Sequence, residues 1–352
     1  MKKNILNFSK KELEEFFKSI GEPKFRVTQV LDWIYKKKVL DFSSFSNLSK
    51  RLREKLEENF VIKTLSIEEI HESKDGSIKI AFKTFDDKYI ESVIIPSKDR
   101  VTLCISTQIG CNIGCAFCNT ARLGLIRNLY TSEILEQYLL SESIINKKIT
   151  NIVYMGMGEP LVNFDNFLNS LERFISEEYF NFGKRKIVVS TIGIPEKIRR
   201  LADFEYAPKI SLSLHFSTDE ERKKYIPVSY KIDELVESLY YYYKMTNLPI
   251  TYEYLLLNGI NTSQQHMEKL YQIVSLIPKS KINLIPFNEF EGSSFSTPDV
   301  EEIERFKEFF KERGIFTSVR TSYGRDISAA CGNLGFSLLK RDLVKRDLKR
   351  KS

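Results

Sequence analysis

The sequence predicts an α/β protein, a partial (β/α)6 barrel that carries a small N-terminal helical domain and a β extension. Three observations lead there. Residues 1–62 space their apolar side chains as helices do. Residues 63–98 change to the alternation of strands around an Asp75-Gly76 turn. From residue 99 to 335, strand-like and helix-like segments alternate, the rhythm of parallel strands joined by right-handed helical crossovers. About six repeats fit a partly open barrel better than a complete eightfold one.

Within the first domain, Leu13, Phe16, Phe17 and Ile20 share one helical face, and Val27, Val30, Leu31 and Ile34 share another. Gly21-Glu22-Pro23 breaks the chain between them, and Leu48, Leu52 and Leu56 make a third stripe. In the extension, Ile78, Ile80 and Phe82 fall on one side of a strand, and the next runs through Ser92–Ile95 to Pro96. Barrel strands are expected at 101–106, 152–156, 186–190, 209–214, 250–256 and 281–286. Helices are expected at 131–147, 164–178, 195–203, 232–246, 263–277 and 299–313, followed by a short apolar run at 315–320. A basic tail occupies 336–352. Chemistry in such barrels sits on the loops after the strand C-termini, and the informative residues fall there.

The composition is that of a soluble globular protein, with 42% hydrophobic and 29% charged residues among 352. No apolar run reaches membrane-spanning length, and the first residues turn charged too soon for a signal-peptide core, so the expected location is cytoplasmic with no membrane partner. The net charge of +7 is uneven: residues 1–60 carry +5 and residues 338–352 another +5. Basic ends on a slightly acidic body point to a polyanion, nucleic acid first, with Lys36, Lys37, Lys38, Lys50, Arg51 and Arg53 as phosphate contacts. A merely solvated lysine-rich surface is the plain alternative.

Four of the five cysteines lie within fifteen residues. An odd count without a leader argues against a disulfide framework and for metal or redox chemistry. Cys111, Cys115 and Cys118 follow the first barrel strand in a C-x3-C-x2-C loop. Thiolates suit iron–sulfur clusters, and three of them can hold three irons of a 4Fe–4S cube while the fourth iron stays open to a ligand. A structural zinc site needs four ligands, and no histidine is near in sequence. The motif, with Phe117 before its last cysteine, resembles the signature of the radical-SAM superfamily, whose members use S-adenosylmethionine (SAM) on such a cluster. Downstream, Gly158 and Glu159 in Met155–Pro160 end the second strand, where by resemblance the SAM amino group binds. Ser190 ends the third strand and Ser213-Leu214-His215 the fourth, while Asn288 follows the sixth in Ile285-Pro286-Phe287-Asn288. Together they form a polar ring suited to an adenosine and a methionine moiety.

Longer strings carry a more specific resemblance. Phe25 through Ile34, Glu91-Ser-Val-Ile-Ile-Pro96, Cys104 through Cys111, Arg127-Asn-Leu129, Met155 through Pro160, Ser213 through His215 and Asp326-Ile-Ser-Ala-Ala-Cys-Gly332 are similar to the RlmN/Cfr family of RNA adenine methyltransferases over essentially the whole chain. The resemblance implies one 4Fe–4S cluster per chain and two SAM per turnover. One SAM methylates Cys331, and the second yields a radical that activates the S-methyl group for attack on an adenine. Cys104 then releases the product by forming a disulfide with Cys331, and Glu91 matches the family's proton acceptor. The substrates implied are 23S rRNA and tRNA, the electron donor is of flavodoxin type or similar, and the chain is expected to be a monomer. RlmN acts at adenine carbon 2 and Cfr at carbon 8; Gly158-Glu159-Pro160 and Ile285–Asn288 are closer to the RlmN form. Tyr323, Asn333 and Ser229 depart from the family pattern and put fine substrate contacts in doubt.

Two other classes compete. A 4Fe–4S electron carrier wants a fourth cysteine ligand; Cys104 lies at an unusual seven-residue spacing from Cys111, and Cys331 stays unexplained. A simple RNA-binding module fits the basic ends but has no use for the cysteine loop.

Overall fold

Residues 2–335 are described by the structure, a computed structural model; the basic tail expected at 336–352 lies outside the described residues. β1 (Lys3–Asn4) pairs in parallel with β2 (Phe60–Val61), so the start and end of the helical segment close on each other. Between them, Ser9 starts α1 (Lys10–Ser19) with a reciprocal capping box to Glu12, and Ser49 caps α3 (Lys50–Asn59). α2 (Phe25–Leu31) runs on into a π-helical turn at Asp32–Lys36. Leu13, Phe17, Val27, Val30, Ile34, Leu52 and Leu56 from the three stripes are buried together, which holds these short helices where propensity alone would not.

The extension comprises β3 (Ser66–Glu72), β4 (Ile78–Lys83) and β5 (Tyr89–Ser97), paired antiparallel. Gly76, at φ +82°, makes the first turn in a conformation open to glycine. β4 is buried on both faces. Ile80 and Phe82 fill one side, and Lys79 lies inside on the other because Glu91 of β5 stands 3.6 Å from its Nζ.

β5 pairs antiparallel with β6 (Arg100–Cys104), so the extension is continuous with the main sheet. After β6 come β7 (Gln108–Gly110) and β8 (Leu125–Asn128), an antiparallel pair flanking the cysteine loop and the short α4 (Asn119–Arg122). α5 (Thr131–Glu142) leads to β9 (Asn151–Tyr154). The alternation then runs through α6 (Phe164–Ile175), β10 (Ile187–Thr191), α7 (Pro195–Ala202), β11 (Lys209–Ser213), α8 (Asp219–Tyr225), α9 (Ile232–Thr246), β12 (Ile250–Leu256), α10 (Gln264–Ser275), β13 (Lys281–Pro286), α11 (Val300–Glu312) and β14 (Phe316–Val319). One ten-stranded sheet results, in the order β14-β13-β12-β11-β10-β9-β6-β5-β4-β3, with parallel pairing from β6 to β14. The apolar run at 315–320 thus supplies a seventh parallel strand. The helix expected to reach residue 147 stops at Glu142, whose carboxylate turns to accept the Ile149 N–H at 3.2 Å.

α5 is wholly buried between the barrel and the helical module, which explains polar residues on every face of it. Gln137 accepts from Ser92 Oγ and the Ser106 N–H, at 2.7 and 2.8 Å. Glu136 accepts from the Thr64 and Leu65 N–H groups and from Asn4 Nδ2, tying the module to the barrel. Lysines do the same at the edge: Lys38 binds Glu142 and the Tyr138 hydroxyl, and Lys36 binds the Glu177 carbonyl. Lys36 and Lys38 are therefore engaged within the protein, as is Arg53 with the Ser43 carbonyl, whereas Lys37, Lys50 and Arg51 are exposed. Among the described residues no helix is long and apolar enough to cross a membrane.

Candidate active site

The cysteine loop begins where only glycine fits. Gly110 has φ +78°, and a Cβ there would lie 1.7 Å from the Gly124 carbonyl oxygen. That close approach lets the Cys111 N–H donate to the same oxygen at 3.0 Å. The Ala116 N–H donates to the Tyr225 carbonyl at 2.9 Å, and α4 starts directly after Cys118, so the loop is held on both sides. Cys111, Cys115 and Cys118 line one open cavity. Burial pushes the Cys111 thiol up to about 12 and raises Cys115 and Cys118 as well. Among the described residues no three His, Cys, Asp or Glu side chains converge tightly enough to share one metal ion. Three soft donors in one sheltered cavity fit a cluster in which each thiolate meets a different iron.

The strand ends form the opposite wall. In Met155–Pro160 the glycines answer first to packing. A Cβ at Gly156 would lie 2.6 Å from the Ile105 carbonyl, and one at Gly158 would lie 2.5 Å from Gln108 Cβ. Glu159 lines the cavity while its carboxylate accepts the Ile192 and Leu161 N–H groups at 2.9 and 3.0 Å, locking the end of β9 to that of β10. Burial raises its carboxyl to about 6 against those bonds. Ser190 and Ser213 also line the cavity, with hydroxyl oxygens 3.0 Å apart. His215 takes a left-handed φ of +59°, and its Nδ1 accepts the Leu255 N–H at 3.2 Å, which leaves the ring proton on Nε2. Burial lowers its pKa to about 3, assisted by Arg222.

Other expected residues fall differently. The side chain of Leu214 is in the core, so its backbone alone is offered to a ligand. Asn288 is off the cavity wall, donating to the Cys331 carbonyl at 3.2 Å with its own Oδ1 unpartnered. Glu91 is fully buried and outside the lining residues, because the chain beyond Cys331 folds over it and the Gly335 N–H donates to its Oε2 at 2.6 Å. Cys331 opens on the cavity; Cys104 is buried at the end of β6, its thiol pushed up to about 12 mainly by burial and partly by the nearby Cys331. All five cysteines are free thiols.

Three residues of the site escaped the sequence reading. Arg222, buried in α8, donates to the carbonyls of Ser213, Leu214 and Ile192 and so shapes two strand ends. Arg320, just past β14, lines the cavity and donates to Met155 Sδ at 3.2 Å, joining the last parallel strand to the end of β9. Glu253 lines the cavity from β12; a single acid within the apolar string Ile250–Leu256 was the available signal.

A parallel, open barrel with a three-thiol loop after its first strand and polar groups on the following strand ends defines a radical-SAM enzyme. Residues 105–271 match the family model of the radical SAM superfamily. Residues 3–62 match the model described as the ribosomal RNA large subunit methyltransferase N-terminal domain. The chain is 40% identical over 342 residues to a protein of Endomicrobium trichonymphae, covering 95% of this chain and 98% of that one. It is 42% identical over 335 residues to one of Clostridium novyi strain NT, covering 94% and 97%. Both bear the name probable dual-specificity RNA methyltransferase RlmN. The crystal structure of a radical SAM methyltransferase from Sphaerobacter thermophilus superposes with a TM-score of 0.90 at 36% identity, covering 94% of this chain and 99% of that one. The chain belongs to the RlmN family. Membership of the superfamily brings with it a 4Fe–4S cluster and SAM, which the donors described above fit.

Proposed function

We infer that the chain methylates carbon 2 of an adenine in 23S rRNA and in tRNA, by way of an S-methyl group carried on Cys331. The observation that carries this reading is that Cys331 and the three loop thiols open on one cavity, walled by the polar strand ends. When bound, the cluster supplies one electron for carbon–sulfur cleavage of SAM. Cys111, Cys115 and Cys118 hold one cluster per chain, a thiolate each. Gly158, Glu159, Ser190, Ser213, the Leu214 backbone and His215 seat SAM, two molecules being used per turnover. Asn288 orients the Cys331 carbonyl and, through it, the thiol that accepts the methyl group. Cys104, whose thiol feels the charge of Cys331, supplies the second sulfur of the disulfide that releases the modified base. Glu91 takes the proton, which requires the 332–335 segment to let go of its Oε2. Carbon 8 is the second reading, and Gly158-Glu159-Pro160 with Ile285–Asn288 favours carbon 2. The chain works in the cytoplasm as a monomer, reduced by a donor of flavodoxin type.

Anaerobic reconstitution with iron and sulfide, followed by SAM, a reductant and rRNA or tRNA, tests this. The expected products are 5′-deoxyadenosine and 2-methyladenosine, read by mass spectrometry. 8-Methyladenosine would move the chain to the other branch, and no methylated base would overturn the reading. Cys104→Ala should accumulate protein linked covalently to RNA through Cys331; normal turnover would refute the resolving role.

A further inference from the structure

One carboxylate on the cavity wall has no part in the scheme above. Glu253 is 2% exposed and lines the cavity that the loop thiols share. Its Oε1 accepts from Asn283 Nδ2 at 3.0 Å, and Asn283 Oδ1 in turn accepts from Ser318 Oγ. Its Oε2 is buried with no hydrogen-bond partner; the Arg320 guanidinium on the same wall feels the charge of Glu253 and helps keep it ionised, but makes no hydrogen bond to it. A carboxylate oxygen shut away from water without a donor is costly, so its retention on a ligand-facing wall asks for a donor from the ligand.

Strand register sets Glu253 in a row of polar residues. Ser213 pairs with Glu253 across β11 and β12, Glu253 with Asn283 across β12 and β13, and Asn283 with Ser318 across β13 and β14. Ser190 of β10 joins the row through its 3.0 Å contact with Ser213. Polar side chains thus run in one band around the inner wall, and within that band Glu253 is the ionisable member.

We propose that Glu253 accepts a hydrogen bond from a ribose hydroxyl of SAM and makes the enzyme select an adenosyl group with an intact ribose diol. This rests on the reading that the cavity holds SAM. The ligand offers donors of three kinds. Its ammonium belongs to the methionine end, seated by the cysteine loop and the end of β9. Its exocyclic amine is flanked by the N1 and N7 lone pairs, which a bare carboxylate would repel. A vicinal diol presents two hydroxyl donors, and a carboxylate that can only accept, beside serines that can do either, complements it. The band reaches Glu253 two strands beyond β10, away from the methionine end, where the ribose follows.

The test is anaerobic equilibrium dialysis of S-adenosylhomocysteine, and of its 2′-deoxy and 3′-deoxy forms, against the reconstituted full chain. The wild type should bind the parent at least about tenfold more tightly than one of the deoxy forms. In Glu253→Gln the amide oxygen is claimed by Asn283 and the amide nitrogen faces the ligand, so the parent should weaken by a similar factor and the preference disappear. Glu253→Asp, which keeps the charge on a shorter arm, should retain part of the preference and serves if the Gln variant fails to fold. A preference that survives in Glu253→Gln, or a wild type indifferent to both hydroxyls, overturns the inference. RNA methylation by the same wild-type preparation separates the two levels. Methylation without any hydroxyl preference defeats the role of Glu253 and leaves the function standing, whereas absence of both ligand binding and methylation removes the function and this inference with it.

Discussion

Burial governs the chemistry of the individual side chains. In the metal-free protein the three loop thiols are held protonated by their low-polarity surroundings, Cys111 near 12, so cluster assembly must displace protons as the sulfurs bind iron. Cys115→Ala should lose bound iron and the brown absorbance, while Cys104→Ala and Cys331→Ala should keep both; a full iron complement in Cys115→Ala would contradict the ligand assignment. His215 shows the same control with the opposite sign. Its folded pKa of about 3 lies below the ordinary 6.5, so the stability it contributes is present above pH 6.5 and is lost as pH falls toward 3. Its ring should therefore remain the neutral Nε2–H tautomer from pH 8 to 5 in NMR titrations, and a midpoint above pH 5 would show that the ring is not sealed as described.

At the scale of elements, the turn between β3 and β4 clasps the loop that carries Cys331. Asp75 Oδ2 accepts the Gly324 N–H at 2.7 Å, and Asp326 accepts from Ser73 Oγ and the Lys74 N–H at 2.5 and 3.2 Å. Burial works against the Asp75 carboxylate, but the Ser77 hydroxyl and the Gly324 and Ser77 N–H groups outweigh it and hold its pKa at about 2. The clasp is therefore intact above pH 3.8 and fails only as pH drops through about 2. Asp75→Ala or Asp326→Ala should raise the alkylation rate of Cys331 several-fold at neutral pH while the cluster absorbance stays. An unchanged rate would mean that other contacts position the loop. Small residues surround Cys331, and nothing in that string names what holds its loop. Its anchor lies some 250 residues upstream in a hairpin, a partnership that no local signal announces.

Across the whole molecule, the helical module is seated on α5 by Glu136 and Lys38, and on the segment after α6 by Lys36. Fewer of its cations face outward without a partner elsewhere in the chain than charge counting suggested, because a lysine beside a carboxylate from another element serves packing before it serves RNA; Lys37 over the Trp33 ring and Lys50 beside Glu54 have partners only within the module and stay exposed. Reversing Lys37, Lys50 and Arg51 together should weaken RNA binding and flatten its salt dependence by up to about one unit of slope for each phosphate left without its cation, with RNA-independent SAM cleavage unchanged. Lys38→Glu should instead place a second carboxylate against Glu142 and loosen the module, read as faster proteolysis between residues 60 and 66. If Lys38→Glu left proteolysis unaltered and the triple reversal left RNA affinity unaltered, the division of these cations would be wrong.

Period and spacing are local properties, and whatever depends on them could be read along the chain. Helical stripes, barrel strands, the C-x3-C-x2-C loop and the Gly-Met-Gly-Glu-Pro turn each announce themselves within a few residues, and a rhythm of strand and helix admits few topologies. A side chain's partner at large separation is different in kind. Glu253 reads as one acid in a strand, and Arg320 as the end of an apolar run, until the sheet curls and sets both on the cavity wall. Glu91 reads as a solvated strand acid until Lys79 and Gly335 close around it, and Lys38 as one of three exposed lysines until Glu142, 104 residues away, arrives beside it. The interactions that decide these roles are short-ranged in space and unconstrained in sequence, so they exist only once the chain has folded.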